Sequence, residues 1–293
     1  VSFLGAIALI LLINLTVWLV GPWFNDLLYS WLYDIEWVTL EELRDRSPAS
    51  AEAIEDVTAE YGYSTPKLGV IQDRNPNAFT YGSGRWNGRI VVTEGIFEFL
   101  DDDEAAAVVA HELGHITHYD FVVMTVANTL VQLLYLVSIR ARRAAAGGGK
   151  RSSALVGVAV AAYVFFVVGE YLLLYLSRVR EYYADAFAHD WTDGDDLAMA
   201  LVKIAYGITV ADDDKELTQA TRNIGVMDVA TARGEGVLYA SARGDDDSGD
   251  GDGAGEPVAD GVGGLATLER SFLWDMKNPW AWLVELRSTH PLT

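Results

Sequence analysis

The sequence predicts a mainly α protein with a small β-sheet, an α+β domain interrupted by a transmembrane helical hairpin. Three observations carry this. First, apolar residues are gathered into three long runs: Val1 to Val20 and Phe121 to Ile139 hold no charge, and Ala154 to Leu176 holds only Glu170. Twenty residues at a rise of about 1.5 Å span about 30 Å, the thickness of a bilayer's hydrocarbon core. Second, the remainder divides into two polar segments, 21–120 and 177–293. They flank the paired runs, so both emerge on one side of the membrane and can fold as one unit. Third, the strand-like stretches are few, short and β-branched.

Each element has its own signal. The first run (1–20) precedes Gly21, Pro22 and the interfacial aromatics Trp23, Trp31 and Tyr33, which suits a transmembrane helix. A cleavable signal peptide needs a small-residue cleavage site, and none stands out. Thr39 to Tyr61 is amphipathic, and Thr39-Leu-Glu-Glu42 fits a capping box. Lys67 to Ile71 and Arg89 to Thr93 read as strands, the second following the turn Asn87-Gly88. Between them Asn75 to Gly84 is turn-rich with an apolar patch. Asp101-Asp-Asp-Glu104 opens a long helix, its acids matched to the helix dipole.

The hairpin covers 121–176, with a turn at 140–151 that holds five basic residues, three glycines and no acid. Glu170 lies near the end of its run and reads as an interfacial charge. Ser177 to Ala188 continue the third apolar helix, Asp193-Gly194 break it, and Leu197 to Tyr206 are helical again. The segment 245–264, with seven acids and seven glycines, has the composition of a disordered, solvated insertion. A calcium loop starting at Asp246 is the competing expectation, but its twelfth position is Pro257 where a bidentate Glu is needed. Leu268 to Arg287 form a last helical stretch.

Composition narrows the chemistry. The chain of 293 residues carries a net charge of −21 yet has a positive mean hydropathy of +0.16. The acid lies in the polar segments, and the basic set is dominated by Arg, as expected of a salt-adapted, halophilic protein. So acidic a chain is unsuited to nucleic acid, whose binding needs a basic surface. With no cysteine, disulfides, thiolate nucleophiles and Cys-ligated metal sites are excluded. Any metal must sit on histidine and carboxylate. The start at Val1 suggests a fragment.

The sharpest signal is His111-Glu-Leu-Gly-His115. With 5 His and 17 Glu in the chain, chance would produce it about 0.005 times. It lies mid-way along the helix that opens near Asp103. Histidines four apart project from one helix face onto one ion, and Glu112, one position off, can take a proton from metal-bound water. Catalytic zinc needs a third protein ligand. His118 is about 10 Å along the helix from His111 and too far. Glu181, in Ser177-Arg-Val-Arg-Glu-Tyr-Tyr-Ala-Asp185, is the better choice. His115 lies six residues before the second run and Glu181 five after the third, so the two reach one height above the membrane edge. Asp185, one turn further on, can accept the outer N–H of a ligand histidine.

These residues, with Asn77-Ala-Phe79 and Ser288-Thr-His-Pro291, resemble the HtpX-like membrane zinc metalloproteases, relatives of the CAAX prenyl endopeptidases. The resemblance runs in order over about 75–293. It implies a gluzincin-type domain with one zinc ion per chain on His111, His115 and Glu181, Glu112 as general base, and Asp185 behind a ligand. It also implies that His290 meets the substrate carbonyl, and that Asn77, Ala78 and Phe79 line the substrate groove. The Arg that follows His290 by six residues in the wider family would fall past Thr293, which suggests truncation. Asn77 to Thr93 supplies either an edge strand for an extended substrate or a structural hairpin.

The function expected is a membrane-embedded zinc endopeptidase acting on membrane or misfolded polypeptides. The alternatives are a CAAX-type C-terminal processing protease and a non-catalytic membrane scaffold that keeps a structural zinc; the intact Glu112 speaks against the scaffold. The localisation expected is a multi-pass cell-membrane protein. The basic 140–151 turn would place the catalytic side outward by the positive-inside rule, whereas the resemblance implies a cytoplasmic site, and that expectation is the one retained.

Overall fold

The computed structural model describes residues 2–33, 35–147 and 152–210. Segments 245–264 and 268–287 and residues 288–291 lie outside them. The described chain is mainly helical with one four-stranded sheet. It opens with α1 (Phe3–Leu32), β1 (Ile35–Val38), α2 (Leu40–Arg46) and α3 (Pro48–Tyr61). Strands β2 (Lys67–Ile71), β3 (Ala78–Tyr81) and β4 (Arg89–Thr93) follow, then α4 (Glu94–Phe99) and α5 (Asp102–Thr117). Three helices complete it: α6 (Asp120–Ala146), α7 (Ser152–Trp191) and α8 (Gly194–Val210).

Helix α1 is longer than the first apolar run. It continues through Gly21 and Pro22 to Leu32. Proline cannot donate to the carbonyl four residues back, and that carbonyl, on Trp18, instead accepts a 2.6 Å bond from the Ser83 hydroxyl. The amphipathic stretch 39–61 is two helices. Thr39 and Glu42 form the capping box of α2. Ser47 then ends α2 and caps α3, with Pro48 in the first turn.

The sheet order is β1-β2-β4-β3, with β2 and β4 parallel and the outer pairs antiparallel. Side chains alternate across it. Leu68, Val70, Ala78, Ile90 and Val92 point into the main core with Ile54, Val108 and Leu113. Ile71, Phe79, Tyr81 and Val91 point the other way, into a second cluster with Tyr29 and Tyr33 at the end of α1. The sheet is thus covered on both faces, which is why every residue of β4 is buried. Strand β1 had no signal in the sequence reading; Ile-Glu-Trp-Val is too short to show a period.

Helices α1, α6 and α7 are long and apolar enough to cross a membrane. Contacts between α6 and α7 run in opposite numerical order: Tyr135 meets Phe166, Val131 crowds Gly169, and Asp120 pairs with Arg180. The two are therefore antiparallel, as the hairpin requires. A bond from Asn14 Nδ2 to Gln132 Oε1 (2.8 Å) ties α1 to α6. Glu170 lies on the exposed side of α7.

Candidate metal centre

Helix α5 is the centre of the fold. Asp101 and Glu104 form its capping box, as the acidic run predicted. Buried alanines 105, 106, 107 and 110 give it a slim waist, so that α3, α7 and α8 can close on it. Gly114 sits at a close approach to α7. A Cβ there would lie 3.1 Å from the Ala184 Cα and 3.2 Å from the Phe187 Cβ on α7. Gly114→Val is expected to cost about 1–3 kcal/mol by overpacking and to lower metal occupancy. A thermal midpoint and a metal assay on the same sample test it; unchanged occupancy would refute the role given to this contact.

That approach gathers three side chains. His111 Nε2 and His115 Nε2 are 3.3 Å apart, and Glu181 Oε2 lies 3.7 Å from the first and 3.9 Å from the second. These three form the one group able to hold a metal ion among the described residues. Glu112, between the histidines in sequence, is 3% exposed. His118 ends α5 and faces Tyr183 and Phe187, its ring edge-on to Phe187 at 5.4 Å, away from the cluster.

Both imidazoles are backed on their outer nitrogens. His111 Nδ1 is 2.9 Å from Asp185 Oδ1. His115 Nδ1 is 2.7 Å from Asp120 Oδ2. Asp120 was not among the residues expected at the site; it stands five residues after His115, at the start of α6.

The electrostatics favour a cation. Burial opposes charge on His111, but Asp185, Glu181 and Glu112 outweigh it and push the pKa up to about 10. Burial holds His115 below the usual imidazole range, helped by its neighbour His111. Buried carboxylates thus draw positive charge onto one of two converging nitrogens, a demand that a divalent ion would meet.

The groove residues behave differently. Ala78 and Phe79 are 0% and 1% exposed, so their side chains belong to the core. The Asn77 main chain is committed to Thr93: its N–H donates to Thr93 Oγ1 (2.8 Å), and its carbonyl accepts from the Thr93 N–H (2.9 Å). Among the described residues strand β3 is nonetheless an edge of the sheet. His290 lies outside the described residues.

A His-Glu-x-x-His pair on one helix, closed by a carboxylate from a second, is the arrangement of the HExxH metallopeptidases. The chain belongs to peptidase family M48, whose sequence profile it matches over residues 45–293. It is 33% identical to the Protease HtpX homolog of Methanothermobacter thermautotrophicus over 142 residues, 47% of this chain and 52% of that protein. With the Pyrobaculum calidifontis homolog the identity is 30% over 208 residues, 70% of this chain and 57% of the other. The chain spans about half the length of these curated relatives. The crystal structure of S. mikatae Ste24p aligns with a TM-score of 0.50 at 17% identity, over 80% of this chain and 58% of that one. That likeness concerns the fold alone.

Proposed function

We propose that the chain is a membrane-embedded zinc endopeptidase that hydrolyses peptide bonds in membrane or misfolded proteins. The single observation that carries this is the convergence of His111, His115 and Glu181 beside Glu112. Ligand atoms around a tetrahedral ion with bonds of about 2.0–2.1 Å stand about 3.4 Å apart. The observed 3.3, 3.7 and 3.9 Å are close to that, so the residues present fit zinc. Three protein ligands also leave a fourth position open, as a catalytic site needs and a structural site does not.

When bound, zinc lowers the pKa of a water towards 7 and polarises a carbonyl. The remaining work falls to the protein. Glu112 takes the proton of the attacking water and passes it to the leaving amine. Asp185 holds the ring of His111. By the family resemblance, His290 donates to the carbonyl oxygen as it becomes negative. Among the described residues β3 is an outer strand, and its edge can pair with an extended substrate backbone. Ala78 and Phe79 serve there through main chain and core packing, since their side chains are buried.

The polar segments 21–120 and 177–293 act as one catalytic unit split by the hairpin. The supporting observation is that Phe187, Ala200 and Ile204 share a core with Ile54 and Val108. The protein resides in the cell membrane, with the site on the cytoplasmic side; protection of a tag at residue 250 in sealed vesicles tests that placement.

The decisive experiment uses the purified chain in detergent. It is expected to hold one zinc per chain, to cleave casein, to lose cleavage when a chelator strips the metal, and to regain it on adding zinc. Zinc-loaded protein with no cleavage of any unfolded substrate would favour the scaffold.

A further inference from the structure

We infer that Asp120 and Arg180 form a positioning pair for the metal centre, fixing the ring of His115 and the azimuth from which α7 presents Glu181. This rests on the metal-site reading above and adds two residues to it. Asp120 Oδ2 accepts from His115 Nδ1 at 2.7 Å. That bond assigns the proton to Nδ1 and leaves the Nε2 lone pair facing the cluster.

The backbone explains how an acid from the next helix arrives there. Helix α5 stops at Thr117, and Tyr119 takes φ 59°, the one non-glycine residue with positive φ among those described. The chain turns at that residue, and Asp120, the first residue of α6, comes within reach of His115 on the helix it has just left.

Arg180 then joins three helices at one guanidinium. It pairs with Asp120 at the start of α6, and its Nη2 donates at 3.1 Å to the carbonyl of His118 at the end of α5. Both side chains are largely enclosed, at 13% and 9% exposure. Successive residues on a helix differ by about 100° in azimuth, so Arg180 and Glu181 cannot turn independently. Anchoring Arg180 therefore fixes the direction of Glu181. Asp185, one turn further on, stands near the outer nitrogen of His111 at 2.9 Å, and the two acids come from different helices.

The test uses the full chain in detergent with Asp120→Asn, Arg180→Met, the double variant and Arg180→Lys. Two quantities are read: zinc affinity by competition with a chromogenic chelator, and the thermal midpoint of metal-stripped protein. Asp120→Asn is expected to weaken zinc about 10–100-fold, more than the fall in its metal-free midpoint from the buried Arg180 charge left unpaired accounts for. Arg180→Met should weaken it too, the double variant should lose less than the product of the single losses, and Arg180→Lys should recover only part, lacking the planar fork. Undiminished affinity in Asp120→Asn overturns the inference. So does a loss of affinity matched by an equal loss of metal-free stability, which marks a merely structural pair. If Arg180→Met does not fold, Asp120→Asn decides alone. An unsubstituted chain that holds no zinc overturns the metal-site reading itself, a result distinct from zinc binding that Asp120→Asn leaves intact.

Discussion

Glu112→Gln is expected to keep its zinc and to lose casein cleavage by about a hundred- to ten-thousandfold. The amide has nearly the shape of the carboxylate, so α5 should pack as before. It cannot accept a proton, and so cannot generate the nucleophile or protonate the leaving amine. The site is also enclosed, with Glu112 and His111 each 3% exposed, so bulk water is a poor substitute base. Metal content is the control, because Glu112 is not among the three converging ligand atoms. Equal cleavage by both proteins would remove Glu112 from the mechanism.

Asp26→Ala is expected to destabilise the fold by about 3–5 kcal/mol, the cost of leaving a buried charge without its partner. Asp26 sits on α1, beyond the first apolar run, and receives four bonds. Arg89 reaches it twice, at 3.0 and 3.1 Å. Lys67 Nζ adds one at 3.1 Å, and the Tyr81 hydroxyl donates another at 2.9 Å. Arg89 is only 4% exposed, with the Trp23 ring 5.4 Å from its guanidinium, so it cannot turn to water when the carboxylate is gone. Lys67 is half in solvent, and Lys67→Met should cost less than about 1 kcal/mol. Unfolding midpoints of the two variants in one detergent separate them. If Asp26→Ala unfolds like the unsubstituted protein, the sheet does not depend on this docking of α1.

What the sequence made legible was whatever repeats or clusters locally. Uncharged runs marked the three long helices, acids at 101–104 marked the start of α5, and spacing by four marked His111 and His115. Glu181 was reachable because the hairpin is antiparallel and the residue counts on either side of it nearly match. Asp120 was not, since nothing in Tyr119-Asp120 announces a left-handed residue that turns an acid back towards His115. The extent of α1 was hidden by Gly21-Pro22, which looks like a helix end until Ser83 is seen to satisfy the freed carbonyl. The buried state of Phe79 depends on α1 covering the far face of the sheet through Tyr29, a contact set by residues some fifty positions away, whereas Ala78 faces the main core.

Helix α7 is one unbroken rod of 40 residues, about 60 Å long, roughly twice the hydrocarbon thickness. Its first half lies in the apolar hairpin and its second half carries Glu181 and Asp185. Because the helix runs unbroken from one half to the other, tilting it in lipid would swing its far end like a lever. A tilt of about 5° over about 30 Å moves that end by about 2.6 Å, comparable to a metal–ligand bond. Bilayer thickness is one influence on helix tilt, and a change in it would therefore act on one of the three side chains that converge at the candidate site. The choice of detergent or lipid becomes a variable of the chemistry and not only of solubility.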